Sequence, residues 1–223
     1  MVNKMKKTGF LPGLANLKYI YYTFCLLVLS VSLGTTAAAE DTAASATTMI
    51  EEFHSTLLDV MQHADTLGFK GRYEKLEPVI SGKFDTPFIC KVILSRYWGE
   101  LSDKQQEQFI QLFNRLSIST YASRFDSYSG ESFRTLGTEE LKKGRLLIRT
   151  ELVKNNDNPV KFEYLAHQKD GNWYIISVIA DGVNDLSLKR AEYATIINDS
   201  GFDSLMREIE KKIVELGGPA SNT

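Results

Sequence analysis

Apolar residues recur every three or four positions through roughly the first 130 residues. From there to about residue 180 they recur every second position, and then they return to helical spacing. The long stretch 102–128 is the most informative. Ser102 is placed to cap a helix, with Gln105 three residues on to complete a capping box, and Asp103 puts a negative charge at the positive end of the helix dipole. Phe109, Leu112, Phe113, Leu116, Thr120 and Ser123 form one row, and Phe113, Ser117, Tyr121, Phe125 and Tyr128 form a second beside it. That face is broader than a coiled-coil seam. A helix of about 26 residues would be about 39 Å long, so something sizeable must cover it.

Shorter helical patterns precede it. Ile50, Phe53, Leu57, Val60, Met61, Ala64 and Leu67 run from a cap at Thr48 to Gly68; residues 71–82 carry Tyr73, Leu76, Val79 and Ile80 with a kink expected at Pro78; Asp85 caps a third helix that has Pro87 in its first turn and is ended by Gly99. Residues 131–141, 145–154, 160–166 and 173–180 read as strands. The turns between them are Lys143-Gly144, the segment 155–159 and Asp170-Gly171. The second strand alternates Leu146, Ile148, Thr150 and Leu152 against Arg145, Arg149 and Glu151, whereas the fourth is apolar on both faces. Helices over 186–198 and 202–216 close the chain. The expected class is α+β: a twisted antiparallel sheet of about four strands, packed against a largely helical N-terminal half and two C-terminal helices.

The ends read differently from the middle. Residues 1–39 hold four lysines and no acidic residue, with an apolar run at 19–33 and Ala37-Ala38-Ala39 after it. This is the layout of a secretory signal peptide; an uncleaved anchor is the alternative, although the run is shorter than the roughly 20 residues a span requires. Residues 40–48 read as a disordered linker, 49–217 as a single domain and 218–223 as a flexible tail. Removing the four lysines from 26 basic residues leaves 22 against 28 acidic ones, a net charge of −6. With no basic stripe or finger spacing, nucleic acid is not an expected partner. Cys90 is then the one cysteine left, with no disulfide partner, and its apolar neighbours suggest an inert buried thiol. His54, His63 and His167 have no metal spacing, and there is no nucleophile elbow or phosphate loop. No cofactor, metal or catalytic residue is expected.

Several short segments resemble the MlaC (toluene-tolerance auxiliary) family of periplasmic lipid-binding proteins: Phe84-Asp85, Tyr97-Trp98-Gly99, Ser102 with Gln105-Gln106 and Phe109, Tyr121-Ala122, and Tyr128-Ser129-Gly130. The segments GRYEKL at 71–76, YASRFDSYSGESF at 121–133, Asn172-Trp173 and Ala180-Asp181-Gly182 are similar to its HpnM subgroup, which is associated with hopanoid biosynthesis. Ser177 stands where the family usually carries an Asp after the strand Trp. The resemblance implies a periplasmic, monomeric carrier with an apolar cavity between helices and sheet. Its cargo would be a phospholipid or hopanoid, exchanged with an inner-membrane ABC transporter complex bearing an MCE-domain subunit and with an outer-membrane lipoprotein complex. Candidate lining residues are Ile148, Thr150, Leu152, Phe162, Tyr164, Ile176 and Val178 on the strands, opposed by Tyr97, Phe109, Phe113, Leu116 and Tyr121. The bland alternative is that these simply pack on one another. Among Arg72, Arg124, Arg145, Arg149 and Arg190, the residues taken for a lipid headgroup are Arg124, Arg149 and Arg190, because a guanidinium can grip a phosphate with two parallel hydrogen bonds. A lipid-free adaptor that docks membrane complexes is the competing function.

Overall fold

The computed structural model describes residues 34–154 and 157–220, with side chains from Ala43 onward, and Ala43–Thr223 form one compact unit. The basic start and apolar run read as a signal peptide lie outside the described residues. Among the described residues, six helices and one sheet follow in the order α1 (Gly34–Gln62), α2 (Ala64–Lys83), α3 (Thr86–Leu94), a 3-10 turn (Ser95–Glu100), α4 (Asp103–Arg124), β1 (Ser132–Leu141), β2 (Arg145–Val153), β3 (Val160–Lys169), β4 (Asn172–Ala180), β5 (Val183–Asn184), α5 (Asp185–Ser200) and α6 (Phe202–Glu215). The sheet is antiparallel throughout, with the strands side by side in chain order.

The local signals account for most boundaries. Ser102 and Gln105 form the capping box at the start of α4. The Asp85 carboxylate accepts from the Phe88 amide at 3.1 Å, and Pro87 sits in the first turn of α3. The differences have equally local causes. The stretch 40–48, expected to be disordered, continues α1; Ala46 is fully buried against the core, which a small side chain permits. The irregularity in α2 falls at Gly68, whose φ of 57° and ψ of −174° only glycine adopts cheaply, with Pro78 carried inside the helix. Helix α4 stops at Arg124, four residues early, leaving Tyr128 exposed. Gly217 and Gly218 are packed rather than loose: a Cβ at Gly218 would meet the Ser119 hydroxyl at 2.3 Å, and Arg115 donates to the Pro219 carbonyl.

Two cores result. The first lies between α1, α2 and the inner face of the sheet: Ile50, Phe53, Leu57, Leu76 and Ile80 meet Leu146, Ile148, Tyr164, Ala166 and Ile175. The second gathers Ile89, Cys90 and Ile93 of α3, Tyr193 of α5 and Leu205, Ile209 and Ile213 of α6. Helix α4 belongs to both. Its first half gives Phe109, Leu112, Phe113 and Leu116 to the second core, and its last turns give Ile118, Ala122 and Phe125 to the first. On the sheet's other face, Arg149 is paired with Glu139 and Glu163, and Arg134 with Glu151.

One titratable group lies inside the first core. His54 is 3% exposed, bonds the Tyr164 hydroxyl through Nε2 at 2.9 Å and stacks on Phe133 at 3.9 Å. Burial holds its imidazole down from 6.5 to about 4. The unfolded chain therefore takes up a proton first as pH falls. The stability that neutral His54 contributes is whole above pH 6.5 and drains away toward pH 4, by up to about 3 kcal/mol. Chemical denaturation of His54→Gln should show a shallower loss over that window than the parent; an identical pH profile would assign the acid sensitivity elsewhere. Ile148 is fully buried in the same core, so Ile148→Ala should lower unfolding free energy by about 2–4 kcal/mol in urea titrations.

Candidate functional site

Where α4 passes from one core to the other, the packing opens. A groove of about 610 Å³ runs along Phe113, Leu116, Ser117, Thr120, Tyr121 and Arg124 of that helix. Its other walls are Leu152, Val160, Phe162, Val178 and Ala180 at one end of β2–β4, Phe84, Ile89 and Ile93 from α3 and the turn before it, and Val183, Asp185, Leu186, Leu188 and Lys189 around the start of α5. The sheet's inner face thus changes role along its length. Leu146, Ile148 and Tyr164 are sealed in the core, while Leu152 and Phe162, farther along the same face, are only partly covered and line the groove.

Each wall has a local reason to stand where it does. Asp85 ties the start of α3 to β4: its amide donates to the Ile175 carbonyl at 3.1 Å, and its carboxylate accepts from the Phe88 amide and lies 2.9 Å from His167 Nε2. Phe84 forms a parallel bridge with Ile175 and turns its ring toward Phe53 and Tyr121. The Ala180-Asp181-Gly182 segment reverses β4 into β5 with positive φ at Asp181 and Gly182, and Asp181 is pinned to β3 by accepting from the Lys161 amide at 2.8 Å. On α4, Ser117 and Thr120 turn their hydroxyl protons back to the carbonyls of Phe113 and Leu116. These two walls therefore offer methylene and methyl groups rather than donors.

The inner part is greasy and the charge sits at the rim. Tyr121 packs edge-on to Phe53 and stacks on Phe125, and burial pushes its phenol up, so it stays neutral. Arg124, Ser127, Val183, Asp185 and Leu188 are exposed around the opening, with Lys189 3.2 Å from Asp185. Glu131, 8% exposed, accepts from the Ser129 amide at 2.5 Å. Ser177 also borders the groove, and its hydroxyl is buried without a hydrogen-bond partner.

The sequence-based candidates divide accordingly. Phe113, Leu116, Tyr121, Leu152, Phe162, Val178 and Arg124 come together in the groove. Ile148, Thr150 and Tyr164 are at most 1% exposed and belong to the core side of the same face. Tyr97 and Phe109 are in the second core, where the Tyr97 hydroxyl donates to Asn198 at 2.6 Å. Ile176 is the extra residue of a β-bulge, since Leu165 pairs with Ser177 and Ala166 with Ile175. Arg149 lies on the opposite face in its glutamate pairs, and Arg190 donates to the Ser95 hydroxyl at 2.9 Å instead of lining the groove. The α3 wall and the apolar rim at Val183 and Leu188 are absent from the sequence-based set. An apolar run such as that of α3 is indistinguishable from core by its pattern. Cys90 is fully buried and its thiol is pushed up by desolvation, which leaves it unreactive.

Fold and groove together define a class: a single antiparallel sheet clasped by helices, with an apolar slot between two cores. No helix among the described residues is long and apolar enough to cross a membrane. The family model described as MlaC protein matches residues 51–211, and the chain belongs to that family. A curated relative, the intermembrane phospholipid transport system binding protein MlaC of Haemophilus influenzae, is 24% identical over 123 residues, 53% of this chain and 58% of that protein. The chain thus matches a little over half the length of that relative. Among solved structures, the fold is similar to that of the phospholipid-binding protein from Ralstonia solanacearum in complex with a phospholipid, with a TM-score of 0.68, 16% identity, and coverage of 79% of this chain and 98% of that one.

Because the Asp85 carboxylate caps α3 and lies 2.9 Å from His167 Nε2 on β3, Asp85→Ala should cost about 2 kcal/mol even though the backbone bond to Ile175 remains. Asp85→Asn, which can still cap, should recover about half of that in denaturant titrations. Equal losses in the two variants would mean that the cap contributes nothing and that the His167 contact dominates.

Proposed function

We propose that this protein is a periplasmic lipid carrier with no chemistry of its own. It takes the acyl chains of one phospholipid, or the body of a hopanoid-type lipid, into the groove beside α4, and moves that lipid between membrane complexes. The observation that carries this reading is the apolar slot itself, within the usual 300–1,000 Å³ range of small-molecule sites. The energetics require such a space. About 30 methylenes leaving a bilayer lose about 24 kcal/mol at ~0.8 kcal/mol each, which no flat patch offsets. Membership of the MlaC family, a curated relative described as the binding protein of an intermembrane phospholipid transport system, and a structural neighbour that holds a phospholipid all support it.

In this reading the tails point toward Phe84, Ile89 and Phe113. The head remains near Arg124 and Lys189, where a phosphate meets cations without entering the greasy interior. The donor and acceptor are an inner-membrane ABC transporter with an MCE-domain subunit and an outer-membrane lipoprotein complex; the HpnM-like segments favour a hopanoid-linked system. The signal-like start supports export, and the family resemblance supports a monomer. A lipid-free adaptor is the other reading, and it is separated by what the purified protein contains.

Native mass spectrometry of the mature protein, followed by lipid extraction, should show one bound lipid per chain. Phe162→Arg puts a charge into the slot and should lower occupancy at least about tenfold while the circular dichroism spectrum stays native. An empty parent protein would favour the adaptor.

A further inference from the structure

Helix α5 walls one side of the groove, yet it is thinly held. Tyr193 is the one buried residue among its 16, and the helix rests on α3, α6 and β4. Toward α4 it borders empty space. Asp185, Leu186, Leu188 and Lys189 line the groove, and the next turns, through Glu192, Tyr193 and Ile196, line a second hollow of about 510 Å³ between α4, α5 and α6. The Tyr193 ring, edge-on to Phe109 at 6.3 Å, reaches across to α4. The chain enters α5 through Asp181 and Gly182 and leaves it through Gly201, at φ of 49°, 80° and 81°. A Cβ at either glycine would meet nothing within 4 Å, so these glycines serve backbone conformation and not packing. Side chains tie α5 to the 3-10 turn: Arg190 donates to the Ser95 hydroxyl at 2.9 Å, and Asn198 accepts from Tyr97 at 2.6 Å and from Arg96 at 3.3 Å. Ser95 itself has φ 51° and ψ −116°, a conformation that strains a non-glycine residue and lasts only where its surroundings hold it.

We infer that α5 is the gate of the groove, latched shut by its bonds to the Ser95–Tyr97 turn. The inference rests on the carrier reading and adds to it the route by which lipid enters and leaves. The gate swings away from α4 about the Asp181-Gly182 reversal and Gly201, since a few residues at element ends can absorb such a movement. Besides Tyr193, what it uncovers is already half covered: Leu186, Ala194, Ile196 and Ile197. The latch bonds that break are at the surface or partly buried, where water replaces them. Release of Arg190 also frees Ser95 to relax, which offsets part of the cost of opening. The sheet and α4 walls, anchored elsewhere, stay in place. With the gate shut, tails leave only past the rim at Arg124 and Lys189. With it open, they are exposed along their length and pass sideways to an acceptor without each methylene crossing water.

The test is the rate at which the loaded mature protein releases nitrobenzoxadiazole-labelled phosphatidylglycerol to dioleoyl-phosphatidylcholine vesicles. Ser95→Cys with Arg190→Cys places two exposed thiols at the latch, while Cys90 is fully buried and stays unlabelled. Bridging the pair with a bis-maleimide that contains a disulfide should slow release at least about tenfold. Dithiothreitol, which cuts the bridge, should return the rate to that of the unbridged variant, an outcome that damage to the fold would not give. Asn198→Ala removes two latch bonds and should speed release about tenfold. A rate that neither the bridge nor Asn198→Ala changes overturns the gate and leaves the carrier standing. A parent protein that neither takes up the labelled lipid nor yields a lipid on extraction overturns the carrier and the gate with it.

Discussion

The structure depends on one helix having to satisfy two cores. Helix α4 is 22 residues long, about 33 Å at 1.5 Å per residue, and neither core reaches along all of it. Its first half closes the α3, α5 and α6 cluster, and its last turns close the α1, α2 and sheet cluster. Side chains pack to near-crystalline density only where both surfaces are curved to meet. At the crossover on α4, from Phe113 to Arg124, one end of the sheet, α3 and the start of α5 stand around the helix without filling the space beside it. The groove is what that geometry leaves.

The same constraint explains how the groove avoids collapse. Its walls belong to elements anchored elsewhere: α3 by Asp85 to β4, the β4–β5 reversal by Asp181 to β3, and α4 by burial at both ends. These walls are held by contacts outside the gap. Leu152 and Phe162 continue the face on which Leu146, Ile148 and Tyr164 are sealed, so the sheet supplies a rigid backing without filling the space in front. Apart from Glu131, which is buried and bonded to the Ser129 amide, the charged groups of the groove stand at its opening. This suits cargo whose tail is dry and whose head is wet, since a charged head drawn inside would lose its hydration without a partner.

How much of this was legible beforehand varies by residue. The capping box at Ser102 and Gln105 and the Asp85 cap are local signals, and both stand where the sequence places them. The alternation on β2 assigned Arg149 correctly to the face opposite Ile148, but alternation alone does not say which face a ligand meets, and Arg149 turned out to hold glutamates. Ile148, Thr150 and Tyr164 share an apolar face with Leu152 and Phe162, and nothing in that period distinguishes the half that is sealed from the half that lines the slot. Cross-strand neighbours decide it: Ile148 opposite Tyr164 is sealed in the core with α1 residues, whereas Leu152 opposite Val160 borders the groove. The α1 stretch through Ala46 was read as disordered because small, polar residues lack a hydrophobic period; its burial comes from contacts distant in sequence.

By itself, then, the sequence determined the element types, the α+β class, most helix starts, the hairpin order and the family, because each depends on propensity, period or motif within a few residues. Tertiary structure decided where the core stops and the groove begins, which arginine stands at its rim, and that a second hollow adjoins the first. Those properties depend on surfaces contributed by segments scores of residues apart, and an apolar side chain carries the same local signature whether it faces a neighbour or a gap.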